Sequence, residues 1–464
     1  MSRLIALLLL CSTPLLAHAA ALDGASLSLL WGVPFAGILL SIALFPIVAP
    51  EFWHHHFGKI TAGWTLLFLL PFTLSFGGAT AAGLVVHAML AEFIPFVVLL
   101  FVLYTVSGGI LVAGNLHGSP ALNTGLLALG TVLASIMGTT GAAMLLIRPL
   151  IKANDNRRHN VHVVVFFIFL VANIGGGLTP LGDPPLFLGF LKGVDFGWTL
   201  QAMALPVLLM AVALLLIFYA IDSYLFRKEG VLPRDRTPDS PVRISGLQNL
   251  PLLGAVIAAV LLSGIWKPGV VFDVLGMPVA LQNLVRDLLL LAIAALSLWL
   301  TPQAIRAGNE FNWDPMLEVG KLFAGIFITI GPVLAVLQAG EQGALAALVQ
   351  LVTTPQGTPD NVMYFWLTGV LSSFLDNAPT YLVFFNLASG DAATLMGPLA
   401  PTLLAISMGA VFMGACTYIG NAPNFMVKAI AQQRGIVMPS FFGYMAWSFG
   451  ILLPLFLLLT LIVL

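Results

Sequence analysis

Two aspartates stand inside apolar stretches that are broken around them. Asp183 closes the run NIGGGLTPLGDPP, from Asn173 to Pro185, and Asp376 lies in SSFLDNAPT, from Ser372 to Thr380. Three successive glycines and three prolines in the first run prevent a continuous helix and free carbonyl and amide groups. Such groups are tolerated at membrane depth only where they line a cavity or are buried in protein. Freed carbonyls are hard oxygen ligands suited to a small cation. A charged side chain at the bilayer centre costs roughly 2.5–3.5 kcal/mol on insertion scales and is a functional candidate by default. Asp183 and Asp376 are therefore candidate cation ligands and proton carriers. Either carboxylate could instead cap the half-helix that follows it, Asp183 with a proline at the first helical position.

Neutral oxygens accompany them. Thr139 and Thr140 lie in SIMGTTGA, Asn173 and Thr179 in the first broken run, Asn377 beside Asp376, and Thr417, Asn421 and Asn424 around YIGNAPN. They can ligate a cation without adding charge, or simply hydrogen-bond between helices, a common use of Thr and Asn in membranes.

These residues need a membrane scaffold, and the composition supplies one. Of 464 residues 59% are hydrophobic and 8% charged, with a mean hydropathy of +1.03, against about 25% charged in soluble domains. Apolar runs long enough for a hydrocarbon layer of ~30 Å recur throughout. Spans are expected near 28–49, 61–77, 94–113, 161–191, 198–221, 249–266, 284–300, 316–338, 400–433 and 440–463. Segments 119–150 and 361–390 are broken in the middle and suit re-entrant hairpins. The fold class is an all-α integral membrane protein of about ten spans and two hairpins.

Residues 1–19 read as a signal peptide with a small-x-small ending at Ala17 and Ala19, so that the mature chain starts outside at Ala20; an uncleaved first helix is the alternative. Removing Cys11 with the signal leaves Cys416, which excludes a disulfide framework and a Cys-based metal site. The net charge of −1 and the lack of a basic stripe argue against nucleic acid.

Short basic loops stay cytoplasmic. Loop 148–160 carries Arg148, Lys152, Arg157 and Arg158, loop 222–246 carries Arg227, Lys228, Arg234, Arg236 and Arg243, and two crossings separate them, which puts both on one side. Residues 20–60 form an N-terminal span, 61–221 a first repeat, 222–283 a connecting loop with a linker span, and 284–464 a second repeat of inverted orientation. The hairpin breaks correspond at an offset of 237 and the broken spans at 238, pairing Gly176 with Gly414, Thr179 with Thr417, Gly182 with Gly420 and Pro185 with Pro423. Inverted repeats with discontinuous helices are the recurrent plan of secondary transporters, with the site at the repeat interface.

Other polar features carry less. The consecutive histidines of EFWHHH, Glu51 to His56, point around a helix in different directions and suit an interface better than a metal. Glu318 and Lys321, one turn apart, are expected to pair locally. His87 and Glu92 fall near the outer surface, along a candidate access path.

NIGGGLTPLGDPP, SSFLDNAPT and YIGNAPN resemble the ion transporter superfamily, and within it the NhaD-type sodium/proton antiporters and the related citrate-transport proteins. The resemblance extends over most of the chain after residue 60. It implies that two hairpins and two broken helices form the transport site, with roles for Asn173, Asp183, Asp376, Asn377 and Asn421. The sodium-coupled carboxylate symporters of that superfamily carry Ser-Asn-Thr tips on both hairpins. This chain has Gly138-Thr139-Thr140 and Asp376-Asn377-Ala378 instead.

Two acids without a Lys or Arg at comparable depth suit a cation better than a citrate. The expected function is Na⁺/H⁺ antiport by alternating access, with cation and proton competing at the carboxylates; an ion-coupled citrate or dicarboxylate transporter is the alternative. No cofactor is expected beyond Na⁺ and H⁺ as transported or coupling ions. An enzyme is not expected, because no His accompanies Ser372 or Ser373 in sequence to make a nucleophile–base pair. The expected setting is a bacterial-type inner membrane, multi-pass with the C-terminus outside, and the expected assembly a homodimer.

Overall fold

The computed structural model describes residues 22–230 and 240–464. The signal segment, Cys11, and Arg234 and Arg236 of the second basic loop lie outside the described residues.

After a short 3₁₀ turn the chain forms α1 (Val33–Val48) and α2 (Pro50–Phe76), then α3 (Gly78–His87), a π turn (Ala88–Phe93) and α4 (Ile94–Ser107) as one long crossing. The crossing expected at 94–113 thus begins at residue 78. It stops at Gly108 and Gly109, after which Leu111–Ala113 extend as β1. The hairpin α5 (Pro120–Met137) and α6 (Thr139–Ala153) follows, then α7 (Val161–Leu170), a 3₁₀ turn (Ile174–Leu178), α8 (Pro184–Leu191) and α9 (Phe196–Glu229). β2 (Arg243–Ser245) pairs antiparallel with β1, which sets the loop before the first hairpin beside the second basic loop.

The second half runs α10 (Asn249–Ile265), a ribbon of β3 (Val271–Val274) and β4 (Met277–Ala280), α11 (Leu281–Leu300), α12 (Gln303–Gly308), α13 (Asp314–Gln338) and α14 (Ala346–Leu351). The hairpin α15 (Asn361–Phe374) and α16 (Asn377–Ala388), short α17 (Ala392–Met396), α18 (Ala400–Met413), a 3₁₀ turn (Gly414–Cys416), α19 (Ala422–Gln433) and α20 (Phe441–Val463) complete it. The architecture is an all-α membrane bundle. Among the described residues nine helical segments are long and apolar enough to cross a bilayer, and Asn249–Ile265 and Ala400–Cys416 are shorter apolar helices. Two small antiparallel ribbons and a single bridge between Thr353 and Pro359 depart from the all-α expectation.

α7 is buried at every position after Val161 and α18 at most of its positions, so the two broken crossings form the centre of the bundle. α9 and α20 lie outside, presenting Leu205, Leu208, Leu216, Leu458 and Leu461 outward. Outward leucine suits a lipid solvent, in which only backbone polar groups must be satisfied internally. Lys321 stacks over the Phe57 ring at 5.2 Å and Glu318 faces Trp53, so the local Glu318–Lys321 pair expected above does not form. His55 and His56 turn their Nδ1 atoms back to the carbonyls of Glu51 and Phe52 in their own helix.

Candidate functional site

Both hairpins turn through a single break. α6 starts after Gly138, whose φ of +80° is readily available to glycine. α16 starts after Asp376, whose carboxylate accepts from the Ala378 amide at 3.1 Å and so caps the helix. Gly138 therefore corresponds to Asp376 and Thr139 to Asn377, an offset of 238, where the sequence alignment used 237.

The same spacing repeats through the contacts between hairpin and broken crossing. Thr179 donates its hydroxyl to the Ser135 carbonyl, and Thr417 to the Ser373 carbonyl (373 − 135 = 417 − 179 = 238). Ser135 donates to the Gly175 carbonyl and Ser373 to the Met413 carbonyl. A Cβ on Gly182 would fall 2.2 Å from the Gly176 carbonyl oxygen, and one on Gly420 2.5 Å from that of Gly414. Glycine is thus required where each broken crossing folds across itself. Gly182→Ala is expected to cut transport about tenfold or more by displacing the adjacent Asp183, with helix content by circular dichroism unchanged; unaltered transport would show that the close approach relaxes freely.

Asp183 does not use its side chain as a cap: α8 has no side-chain cap bond, and the Asp183 main-chain carbonyl accepts from Leu186 and Phe187. Its carboxylate, 2% exposed, turns inward. It accepts from Asn377 Nδ2 at 2.6 Å, Asn421 Nδ2 at 3.1 Å and Thr139 Oγ1 at 3.3 Å. These donors belong to the second hairpin, the second broken crossing and the first hairpin, so one carboxylate draws together all four discontinuous elements. Among the described residues no Lys, Arg or His pairs with it.

Asn421 also donates to the Ala172 carbonyl and to Asn173 Oδ1. Asn173 in turn donates to Asn424 Oδ1 at 2.7 Å, joining the two breaks directly. The buried Asn377 Oδ1 has no hydrogen-bond partner. Uncharged amides hold the carboxylate in place, and an unpaired amide oxygen lies on the residue that binds it; such a set of hard oxygens fits a small cation.

Of the candidates from the sequence, Asn173, Asp183, Thr139, Asn377 and Asn421 converge. Thr140, half-buried one residue beyond Thr139, is not among the donors to Asp183. Thr179 and Thr417 commit their hydroxyls to the hairpin carbonyls, the helix-to-helix use weighed above. Asp376 is half-buried at the cap of α16 and makes no hydrogen bond to Asp183.

Sequence reasoning passed over a buried cluster at the foot of the first hairpin. Arg157 Nη1 lies 2.6 Å from Asp222 Oδ1, His162 Nε2 2.8 Å from the same oxygen, and Asn123 Nδ2 2.9 Å from Asp222 Oδ2. It also passed over Lys428, half-buried on α19 with its Nζ 4.6 Å from the centre of the Tyr418 ring. Lys428 makes no ion pair with Asp183 or Asp376 and stacks instead on the Tyr418 and Phe425 rings.

Comparison with known proteins agrees with this architecture. Residues 24–464 match the family model described as "Putative citrate transport". An uncharacterized transporter of Mycobacterium tuberculosis is 27% identical over 333 residues, 70% of this chain and 72% of the relative. The 46 kDa membrane protein of Mycobacterium leprae is 25% identical over 329 residues, 69% of this chain and 71% of the relative. An uncharacterized transporter of Synechocystis is 24% identical over 339 residues, covering 68% and 70%. With nearly its whole length matched and its four discontinuous elements meeting at one carboxylate, the chain belongs to this citrate-transport family of multi-pass membrane proteins.

Proposed function

We propose that the protein is a secondary Na⁺/H⁺ antiporter in which Na⁺ or Li⁺ and protons compete at Asp183, with access alternating between the two faces of a bacterial inner membrane. The observation that carries this reading is the Asp183 carboxylate, buried, held by three neutral donors and matched by no basic residue among the described ones. Asn377 Oδ1 and the carbonyls freed at the breaks complete an oxygen set for the cation. Asp376, at the tip that presents Asn377, is the second carboxylate of the site; two nearby carboxylates titrate as a coupled pair, which ties cation release to proton uptake. The repeated 238-residue spacing supports two inverted halves, 61–221 and 284–464, and the proposed assembly is a homodimer with the C-terminus outside.

Asp376→Asn in everted vesicles is expected to lower Na⁺-induced proton movement several-fold; undiminished exchange would remove Asp376 from the mechanism.

One observation favours a second reading, ion-coupled citrate or dicarboxylate transport. Lys428 lies about 10 Å along α19 from Asn421 at the break, with no carboxylate paired to it among the described residues. Proteoliposomes supplied separately with Na⁺, Li⁺, K⁺ and labelled citrate distinguish the two: proton flux with Na⁺ and no citrate uptake is the expected result.

A further inference from the structure

One buried acid is not used by this site. Glu92 is 6% exposed, and its Oε1 lies 2.5 Å from Lys192 Nζ. Three features separate it from an ordinary structural ion pair. It sits in the π turn Ala88–Phe93, which interrupts the crossing between α3 and α4; single π turns inserted in α-helices are found frequently at functional sites. Lys192 closes α8, the half-helix that begins at Asp183, so the two carboxylates stand at opposite ends of one eight-residue element, about 12 Å long. The Lys192 side chain is 26% exposed, which gives the ammonium a route toward solvent that the carboxylate lacks. His87 lies within electrostatic reach of both charges, and the β4 strand of the exposed ribbon packs on the same turn, marking this as an outer end of the bundle.

We propose that Glu92 is a second cation-binding site, on the approach to Asp183 along α8, and that the Lys192 ammonium is a tethered cation that Na⁺ or Li⁺ displaces from it. The inference rests on the cation reading of the central site. The chemistry favours exchange: lysine offers a compact point charge on a flexible stem and makes one contact here, whereas an arginine would grip a carboxylate with a planar fork. Removing the lysine leaves a buried carboxylate without its counter-charge, which a proton or a second cation can supply.

The test separates this site from the central one. Purified Asp183→Asn protein carrying Lys192→Gln, titrated with NaCl at pH 8.5 in a calorimeter, is expected to bind one Na⁺, and adding Glu92→Gln is expected to abolish that binding. A folded Asp183→Asn/Lys192→Gln protein that binds no Na⁺ overturns the proposal. In the otherwise unaltered protein, Glu92→Gln is expected to raise the KM for Na⁺ three- to tenfold with little change in maximal rate. A fall in maximal rate with unchanged KM would instead assign the pair a purely structural role and overturn it. Retention of exchange by Asp183→Asn would sink the central-site reading, while the calorimetric result at Glu92 would still stand or fall by itself.

Discussion

Asp183→Asn is expected to abolish Na⁺-induced proton movement, a loss on the order of a hundredfold or more, while the protein stays folded. The loss follows from charge. Removing one partner of a buried charge pair costs about 2–5 kcal/mol, and about 2.7 kcal/mol is a hundredfold. An amide keeps the shape of the carboxylate but cannot hold a cation by charge or exchange a proton. Retained folding follows from the donors. Asn421 and Thr139 both point at Oδ1, which the amide oxygen can replace. The new NH₂ would face Asn377, whose own Oδ1 is unpartnered and can turn to accept from it. The substitution therefore exchanges one hydrogen bond for another at a cost below that of leaving a buried group unpaired, about 1–3 kcal/mol. Exchange in everted vesicles together with thermal unfolding in detergent checks both halves. Normal exchange by the variant would remove Asp183 as the carrier, and loss of exchange with loss of folding would leave the effect structural.

The position of Asp183 was legible because glycines and prolines in an apolar crossing advertise a break, and a carboxylate at a break is costly. Its orientation was not. An Asp before Pro-Pro looks the same whether it caps the helix or faces inward, and the deciding donors, Asn377 and Asn421, lie 194 and 238 residues away. Asp376 shows the converse: with the same kind of motif, its carboxylate does form the cap. The hairpin correspondence was displaced by one residue because SIMGTTGA and SSFLDNAP both begin with serine, and only the main-chain contacts of Ser135 and Ser373 decide which serine matches. The π turn has no sequence signature in a uniformly apolar helix. In the sequence Arg157 looks like one more loop cation that orients the chain; its burial depends on Asp222 near the far end of α9, a contact that local periodicity does not reveal.

That cluster carries the second large expectation. Arg157→Met is expected to destabilise the protein by about 3–5 kcal/mol, the usual cost of stranding one member of a buried ion pair. Arg157 is fully buried at its side chain and bonds Asp222, Glu229 and Asn154. Asn123 binds both Asn154 and Asp222, so α5 at its first turn and α6 at its last are tied to each other and to α9. These are the two feet of the hairpin whose tip carries Thr139. Asp222→Asn alone should cost less than the arginine change, because Arg157 keeps Glu229 and Asn154 and the amide oxygen in place of Oδ1 still accepts from Arg157 and His162, while the bond from Asn123 is lost to the new NH₂. The double variant should lose less than the two separate losses combined, since each change removes what the other strands. Strictly additive losses in thermal unfolding would show that Arg157 and Asp222 do not act as a unit. The anchored foot acts together with the bond from the Thr139 amide to the Gly182 carbonyl at the tip to keep Thr139 within hydrogen-bonding distance of Asp183. A chain with Arg157→Met that still folds at low temperature is accordingly expected to bind Na⁺ more weakly, although Arg157 makes no contact with the carboxylate of Asp183.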